Sequence, residues 1–271
     1  GNSFQKMQFG SSNFPKRFRI GFVFHFFLTM ISSHSAEIPL VIAHRGASAI
    51  APENTASSIR EAIRLGAKVI EFDVRVTRDG ALVLFHDKTL DRVAGRTGTI
   101  EETDWDTVET FDVGKWFSKG DFAGEKIIRY ADAIQLCLES GATPLIEHKT
   151  GAAEAYAAVI QELAVSERVI VQSFDWDFLR EFKKLMPGVR IGALGSKTLS
   201  AEKIEQLATL APDWVGWNFA DLTEAGIPIL HGLKSKIALW TVDDPEIAKR
   251  WVAAGVDAII TNVPDVISAI K

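Results

Sequence analysis

From residue 40 onward the chain alternates short apolar runs with longer stretches in which apolar residues recur at helical spacing. The runs at 40–43, 69–74, 82–85, 143–146, 168–171, 189–193, 213–216, 237–240 and 258–261 are rich in Val, Ile and Leu, which predicts strands. Most are separated by amphipathic segments; in 177–186, for example, Phe178, Phe182 and Leu185 fall at i, i+4 and i+7 and share one helical face. Helix ends are signposted as well. Asp244 stands before Pro245 as a cap and Gly255 follows as a stop, while Gly66 closes a helix predicted over 53–65. Strand and helix repeating over this length predict an α/β fold, a parallel (β/α)8 barrel, with a doubly wound sheet as the alternative.

Nine strand candidates compete for eight barrel positions. Between Asp73 and His86 there is no room for a crossover helix, but Asp79-Gly80 is a turn signal. A two-residue hairpin there would set Asp73 directly across from His86, with Glu71 on the same face because strand side chains alternate. Residues 88–125 are the longest interruption, with several glycines and the aromatics Trp105, Phe111, Trp116 and Phe117. They predict a small insertion after the His86 strand that covers one mouth of the barrel.

Composition narrows the class. Of 271 residues, 47% are hydrophobic, enough for a substantial core, and the single cysteine, Cys137, can form no internal disulfide. Residues 1–36 carry four basic side chains and no acidic one, which leaves the remaining 235 residues with a formal net charge of −9. That balance argues against non-specific nucleic-acid binding. In the first segment, Lys16-Arg17-Phe18-Arg19 precedes an apolar stretch over 20–31 and the small, polar Ser32-Ser33-His34-Ser35-Ala36. This order reads as a signal peptide, or an appended leader, on an exported periplasmic or extracellular protein, with an uncleaved anchor as the alternative. The stretch is short of the ~20 residues of a membrane helix, so no stable membrane insertion is expected once the leader is removed.

Candidate chemistry gathers at strand ends. Ala43-His44-Arg45-Gly46 closes the first run and offers a proton-transfer group beside a fixed cation. Pro52-Glu53-Asn54-Thr55 reads as the opening of the first helix, with an acid favoured by the helix dipole. Glu71 and Asp73 put two carboxylates on one face, costly without a cation, and oxygen ligands favour a hard divalent ion such as Mg²⁺ or Ca²⁺. Phe85-His86-Asp87 supplies a second imidazole; Glu147-His148-Lys149 supplies a third carboxylate and a cation suited to phosphate. No dinucleotide-binding or P-loop pattern follows a strand. Two histidines, three carboxylates, an arginine and a lysine suit metal-assisted attack at phosphorus with imidazole acid-base help.

His44-Arg45-Gly46, Pro52-Glu53-Asn54-Thr55, Glu71-x-Asp73, Thr77-Arg78-Asp79-Gly80, His86-Asp87, Glu147-x-Lys149, Trp240-Thr241-Val242 and Thr261-Asn262-Val263-Pro264 occur in this order. Their succession resembles the glycerophosphodiester phosphodiesterase family over residues 40–271. The resemblance implies one TIM-type barrel domain over 37–271 that hydrolyses glycerophosphodiesters, small-molecule substrates, to glycerol 3-phosphate and an alcohol. It implies Glu71, Asp73 and Glu147 as ligands of one divalent cation and His44 and His86 as the acid-base pair. Arg45 and Lys149 would bind the phosphate, Glu53 would support the metal or the glycerol side, and Trp240 would meet the organic part of the substrate.

Two departures stand out. His148 replaces the aliphatic residue usual between the acid and the lysine, and alternation turns it outside the lumen. Ile127-Ile128 stands where the family often has Ile-Pro. His231 is expected at the surface and Trp251 in the core. Two other functions fit the same constellation: a phospholipase C- or D-type enzyme reached through the aromatic insertion, and a silent barrel that captures phosphodiesters.

Overall fold

Each of the nine apolar runs becomes a strand in the computed structural model, which describes residues 40–270; the leader read at 1–36 lies outside the described residues. The strands are β1 (Leu40–Ala43), β2 (Val69–Val76), β3 (Leu82–Leu84), β4 (Thr143–His148), β5 (Ile170–Ser173), β6 (Arg190–Gly195), β7 (Trp214–Asn218), β8 (Lys236–Trp240) and β9 (Ala258–Thr261). All but β3 run parallel in the order β1-β9-β8-β7-β6-β5-β4-β2, and pairing of β1 with β2 closes the ring. This is the eight-stranded TIM-type barrel.

The helices are α1 (Ala56–Arg64), α2 (Asp91–Ala94), α3 (Trp105–Val108), α4 (Tyr130–Glu139), α5 (Ala153–Glu162), α6 (Trp176–Leu185), α7 (Ala201–Leu210), α8 (Gly226–Gly232), α9 (Pro245–Ala254) and α10 (Pro264–Ser268). Strand alternation sorts side chains into two cores. Ile70, Phe72 and Val74 of β2 join Ile59, Ile134 and Tyr156 of the helices in the large barrel–helix cluster. Val69, one residue earlier, joins Ile42, Leu145, Ile170 and Ile260 in a separate cluster that fills the lumen. Continuing that alternation puts Glu71 and Asp73 on the lumen side, toward the C-terminal mouth where barrels of this type place their active sites.

The hairpin register differs from the predicted one. β2 and β3 pair Val74 with Leu84 and Val76 with Leu82, and the Phe85 amide donates to the Asp73 carbonyl at 3.0 Å, so Phe85 rather than His86 lies opposite Asp73. The cause is a three-residue loop. The Thr77 amide donates to the Ala81 carbonyl at 2.8 Å around Arg78-Asp79-Gly80, with Gly80 at φ +91°, a loop whose last residue favours glycine. Alternation therefore does not deliver His86 to the site. Instead β3 ends at Leu84, and Arg75 grips the His86 carbonyl through Nε at 3.1 Å and a terminal nitrogen at 2.9 Å.

The insertion builds its own core beside the barrel. Residues 88–125 pack Leu90, Val93, Ile100, Val108 and Phe111 against Val83 and Phe85 in a core of their own. None of them lines the cavity over Glu71, but Lys119 donates to the Ala49 carbonyl at 3.2 Å and Arg92 to Glu53 at 2.6 Å, both acceptors lying in the loop after β1. The Ile127-Ile128 exit is tied down, since the Ile128 carbonyl accepts from the Leu84 amide at 3.0 Å and Arg129 bridges to Val83. The first helix starts later than predicted. Thr55 caps α1 in a reciprocal pair with Ser58, which leaves Pro52, Glu53 and Asn54 in the loop before it.

That loop depends on Gly46. Its φ is +80°, and a Cβ there would lie 2.5 Å from the Ser58 carbonyl carbon and 2.6 Å from its oxygen, both backbone atoms of α1. Gly46→Ala is therefore expected to destabilise the fold by more than about 1 kcal/mol. Urea unfolding measures it; a wild-type midpoint would contradict the close approach.

Candidate active site

Seven predicted residues, His44, Arg45, Glu71, His86, Glu147, Lys149 and Trp240, line one cavity of about 190 Å³ at the C-terminal mouth. Gln172 and Phe174 of the β5 end join them. A more open groove of about 850 Å³ shares Phe174 and Leu194 with this cavity but has no cluster of buried charge among the described residues.

Three carboxylates form the floor. Oxygens of Glu71, Asp73 and Glu147 all lie within 4.8 Å of one another, and all three side chains are buried. β2 supplies the first two and β4 the third, with Asp73 registered directly beside Glu147. Glu71 Oε2 accepts from the Arg45 amide at 2.9 Å, while Glu71 Oε1 and Asp73 Oδ1 are buried without a hydrogen-bond partner. Burial first, then the neighbouring Asp73 and Glu147 charges, raises the Glu71 carboxyl well above its usual range; burial and Asp73 push Glu147 up to about 7. Burial would raise Asp73 too, but Arg45, Lys149 and His86 outweigh it and hold that carboxyl below its usual value. Two orphaned anionic oxygens in an all-oxygen cluster are the donor set of a hard divalent cation.

Two cations face this floor. Arg45 Nε stands 3.2 Å from Asp73 Oδ2 in an ion pair, and Lys149 Nζ lies 2.8 Å from Glu147 Oε1 and 3.8 Å from Asp73 Oδ1. Arg45 is itself held by Glu53 at 3.0 Å. Asn54, in the left-handed region at φ +58°, clamps Asp73 from both sides: its Nδ2 donates to Asp73 Oδ2 at 2.9 Å and its Oδ1 accepts from the Asp73 amide at 3.0 Å. Asn54 had no assigned role in the sequence reading, although an asparagine beside a capping threonine is a residue type that tolerates this conformation.

The two imidazoles rest on different partners. His44 Nδ1 lies 2.7 Å from Asn262 Oδ1, and burial, with the Arg45 charge adding to it, pushes its pKa down to about 4. His86 Nδ1 lies 2.9 Å from Asp87 Oδ1, and burial, despite the Asp73 charge, lowers its pKa from the ordinary value. Asp87 continues to Arg92 in the insertion, at 2.6 and 2.8 Å, and Arg92 reaches Glu53 at 2.6 and 3.0 Å. Glu53 thus acts from the loop, between two arginines, and not as a first-turn residue of α1. The partnership of Arg92 with Asp87, five positions away, gave no periodic signal.

The other two histidines of the described residues, His148 and His231, do not line the cavity. His148 faces outward as predicted, stacked on Phe178 at 3.5 Å between ring centres and bonded to Ser173 Oγ at 3.0 Å. His231 is exposed, as expected, in α8 and meets Asp257 at 2.9 Å, a carboxylate the local sequence did not reveal. Trp240 packs edge to face on Phe174 at 5.5 Å, forming the aromatic wall of the cavity.

Residues 44–266 match the Glycerophosphoryl diester phosphodiesterase family. The chain is 35% identical over 235 residues to a glycerophosphodiester phosphodiesterase of Caldanaerobacter subterraneus subsp. tengcongensis, covering 83% of this chain and 95% of the relative. Among solved structures it is similar to an Oleispira antarctica phosphodiesterase in complex with the product sn-glycerol-3-phosphate, with a TM-score of 0.79 and 26% identity over 86% of this chain and 96% of that one. It is also similar to a glycerophosphodiester phosphodiesterase from Agrobacterium tumefaciens, with a TM-score of 0.74 and 27% identity over 86% of this chain and 100% of that one. The fold agrees with these matches, and the chain belongs to the glycerophosphoryl diester phosphodiesterase family.

Proposed function

We propose that this chain hydrolyses glycerophosphodiesters to glycerol 3-phosphate and an alcohol, using one divalent cation, Mg²⁺ or Ca²⁺, and two histidines. The observation that carries the reading is the floor of three buried carboxylates, two of them with orphaned oxygens, facing Arg45 and Lys149. Glu71, Asp73 and Glu147 would hold the cation, which when bound supplies positive charge to the phosphate oxygens. Arg45 and Lys149 neutralise the remaining charge of the diester and of its transition state. His44, neutral at pH 7 because burial has depressed its pKa to about 4, takes the proton of the attacking hydroxyl or water. A P–O bond forms to that oxygen and the P–O bond to the leaving group breaks. His86, backed by Asp87, gives its proton to the leaving alkoxide once the substrate anion has favoured its charged form. A cavity of about 190 Å³ without insertion residues favours a deacylated headgroup diester over an acylated lipid.

The leader supports placement outside the cytoplasm, in the periplasm or beyond the cell. Among the described residues no helix is long and apolar enough to cross a membrane.

The test is turnover of glycerophosphocholine, glycerophosphoethanolamine, glycerophosphoglycerol and a lysophospholipid, with chelator, Mg²⁺ or Ca²⁺ present. Activity on the first three, lost in chelator and restored by a cation, is expected. His44→Ala and His86→Ala should each lower kcat ~10²–10⁴-fold. A preference for the lysophospholipid would move the assignment to a lipid phosphodiesterase, and wild-type binding without turnover would favour the capture barrel.

Cation binding should also depend on pH. Glu147, at about 7 in the fold against an ordinary 4.5, keeps a proton that the unfolded chain releases, so its contribution stabilises the metal-free fold at low pH and is lost as pH rises through 7. Glu71, raised well above its usual range, adds to this effect, whereas the lowered imidazoles of His44, His86 and His148 run oppositely until pH has passed their ordinary 6.5. Raising pH from about 6.5 to 8 should therefore lower the metal-free melting temperature and enlarge the increase produced by Mg²⁺ or Ca²⁺. Equal increases at both pH values would count against the carboxylate floor as the cation site.

For the leader, protein secreted by its native host should begin near Ala36 or Glu37 on N-terminal sequencing. An intact leader on a cytoplasmic protein would overturn the export reading.

A further inference from the structure

We propose that Asp243 and Asn262 are positioning residues that lock His44 as its Nδ1–H tautomer, leaving the Nε2 lone pair for the proton-transfer step; the proposal rests on the phosphodiesterase reading. His44 ends β1, whereas Asn262 follows β9 and Asp243 follows β8, so three neighbouring strand ends build the arrangement.

The hydrogen-bond chain has only one consistent direction. An ionised carboxylate accepts and cannot donate. Asp243 Oδ1 accepts from the Asn262 amide at 2.8 Å and from Thr261 Oγ1 at 2.8 Å, and Asp243 Oδ2 lies 2.8 Å from the terminal nitrogen of Asn262. The Asn262 side chain must therefore turn its NH₂ toward Asp243. Its Oδ1 then faces His44 Nδ1 at 2.7 Å and Ser48 Oγ at 2.8 Å. A carboxamide oxygen only accepts, so Nδ1 must carry the hydrogen, and the neutral ring keeps its lone pair on Nε2.

Nε2 makes no hydrogen bond to protein among the described residues, and the ring borders the cavity. Arg45, Asp73 and Glu53 are the charged groups acting on this imidazole, and none of them bonds to Nδ1. The opposite tautomer would place a hydrogen where the mechanism needs a base. It would also set two acceptors, Nδ1 and Asn262 Oδ1, against each other at 2.7 Å. Flipping the amide to relieve that clash would put Oδ1 against the Asp243 carboxylate. The part-buried contact of Asn262 with His44 and its outer contact with the exposed Asp243 thus select the reactive tautomer before substrate arrives.

The test uses the full chain with Mg²⁺ present. Long-range ¹H–¹⁵N spectra at neutral pH, with the His44 signals assigned by their loss in His44→Gln, should show Nδ1 protonated and Nε2 bare. Asp243→Asn removes the obligatory acceptor, lets the Asn262 amide rotate and should mix the tautomers, with kcat down about 10–100-fold and KM little changed. The exchanged pair Asn262→Asp with Asp243→Asn restores a donor facing an acceptor and should recover both the Nδ1–H signal and most of kcat. An Nε2–H tautomer in the wild type, or wild-type kcat in Asp243→Asn, would overturn the proposal even if a variant in the series failed to fold. A wild type that shows the Nδ1–H tautomer yet turns over no glycerophosphodiester would support the tautomer assignment and overturn the phosphodiesterase reading instead.

Discussion

The structure is organised around the burial of three carboxyl groups at one end of the barrel lumen. Glu71, Asp73 and Glu147 share a patch no wider than 4.8 Å between ligand atoms, in a place where desolvation alone opposes ionisation. Such a cluster persists only if surrounding groups compensate it, because an uncompensated buried charge is strongly destabilising. Arg45 and Lys149 supply two positive charges within ion-pairing distance, and Asn54 adds a two-point clamp on Asp73. These requirements explain much of the local backbone. Arg45 and Asn54 both adopt positive φ, and Gly46 lies between them where the loop presses against α1.

A second consequence is a continuous ionic path around the rim. From Asp73 it runs through Arg45, Glu53 and Arg92 to Asp87, alternating in sign at every step, and Asp87 ends it with a hydrogen bond to His86. Isolated surface pairs contribute ~0–1 kcal/mol, but here several links are half-buried and each charge is shared between two partners. The path joins the insertion to the catalytic face, so the small apolar core around Phe111 and Val93 holds Arg92 where it can orient Asp87 and, through it, His86. The insertion supports the site through charge.

The two imidazoles are supported differently. Both are partly accessible, but His86 leans on a carboxylate, while His44 leans on a neutral amide whose orientation a more distant carboxylate dictates. A neutral partner leaves the His44 pKa low, which suits a base, and a charged partner works to raise that of His86, which suits an acid. Trp240 and Phe174 close the remaining wall with apolar surface, leaving the polar groups concentrated on the floor and on one side.

The alternation of apolar runs and amphipathic segments was sufficient to place nine strands and the helices between them, because periodicity reports which face of each element is buried and needs no partner to be known. The position of Glu71, Asp73 and Glu147 on the lumen side followed from the same two-residue period, as did the outward turn of His148. The start of α1 and the hairpin register were not legible in this way. Each hinges on a single residue: the Thr55 cap in one case and the third loop residue, with Gly80 at positive φ, in the other. A one-residue change in loop length inverts every pairing downstream, and nothing in the apolar pattern distinguishes the two lengths. What lies furthest from the sequence is the pairing of His44 with Asn262, 218 positions apart, and of Arg92 with Glu53, 39 apart. Those contacts exist because barrel closure brings β1 beside β9 and because the insertion folds back on the first loop. The sequence by itself determined which chemical groups stand at strand ends; only the closed tertiary structure decided which of them touch, since hydrogen bonds and ion pairs act over a few ångströms of space without regard to distance along the chain.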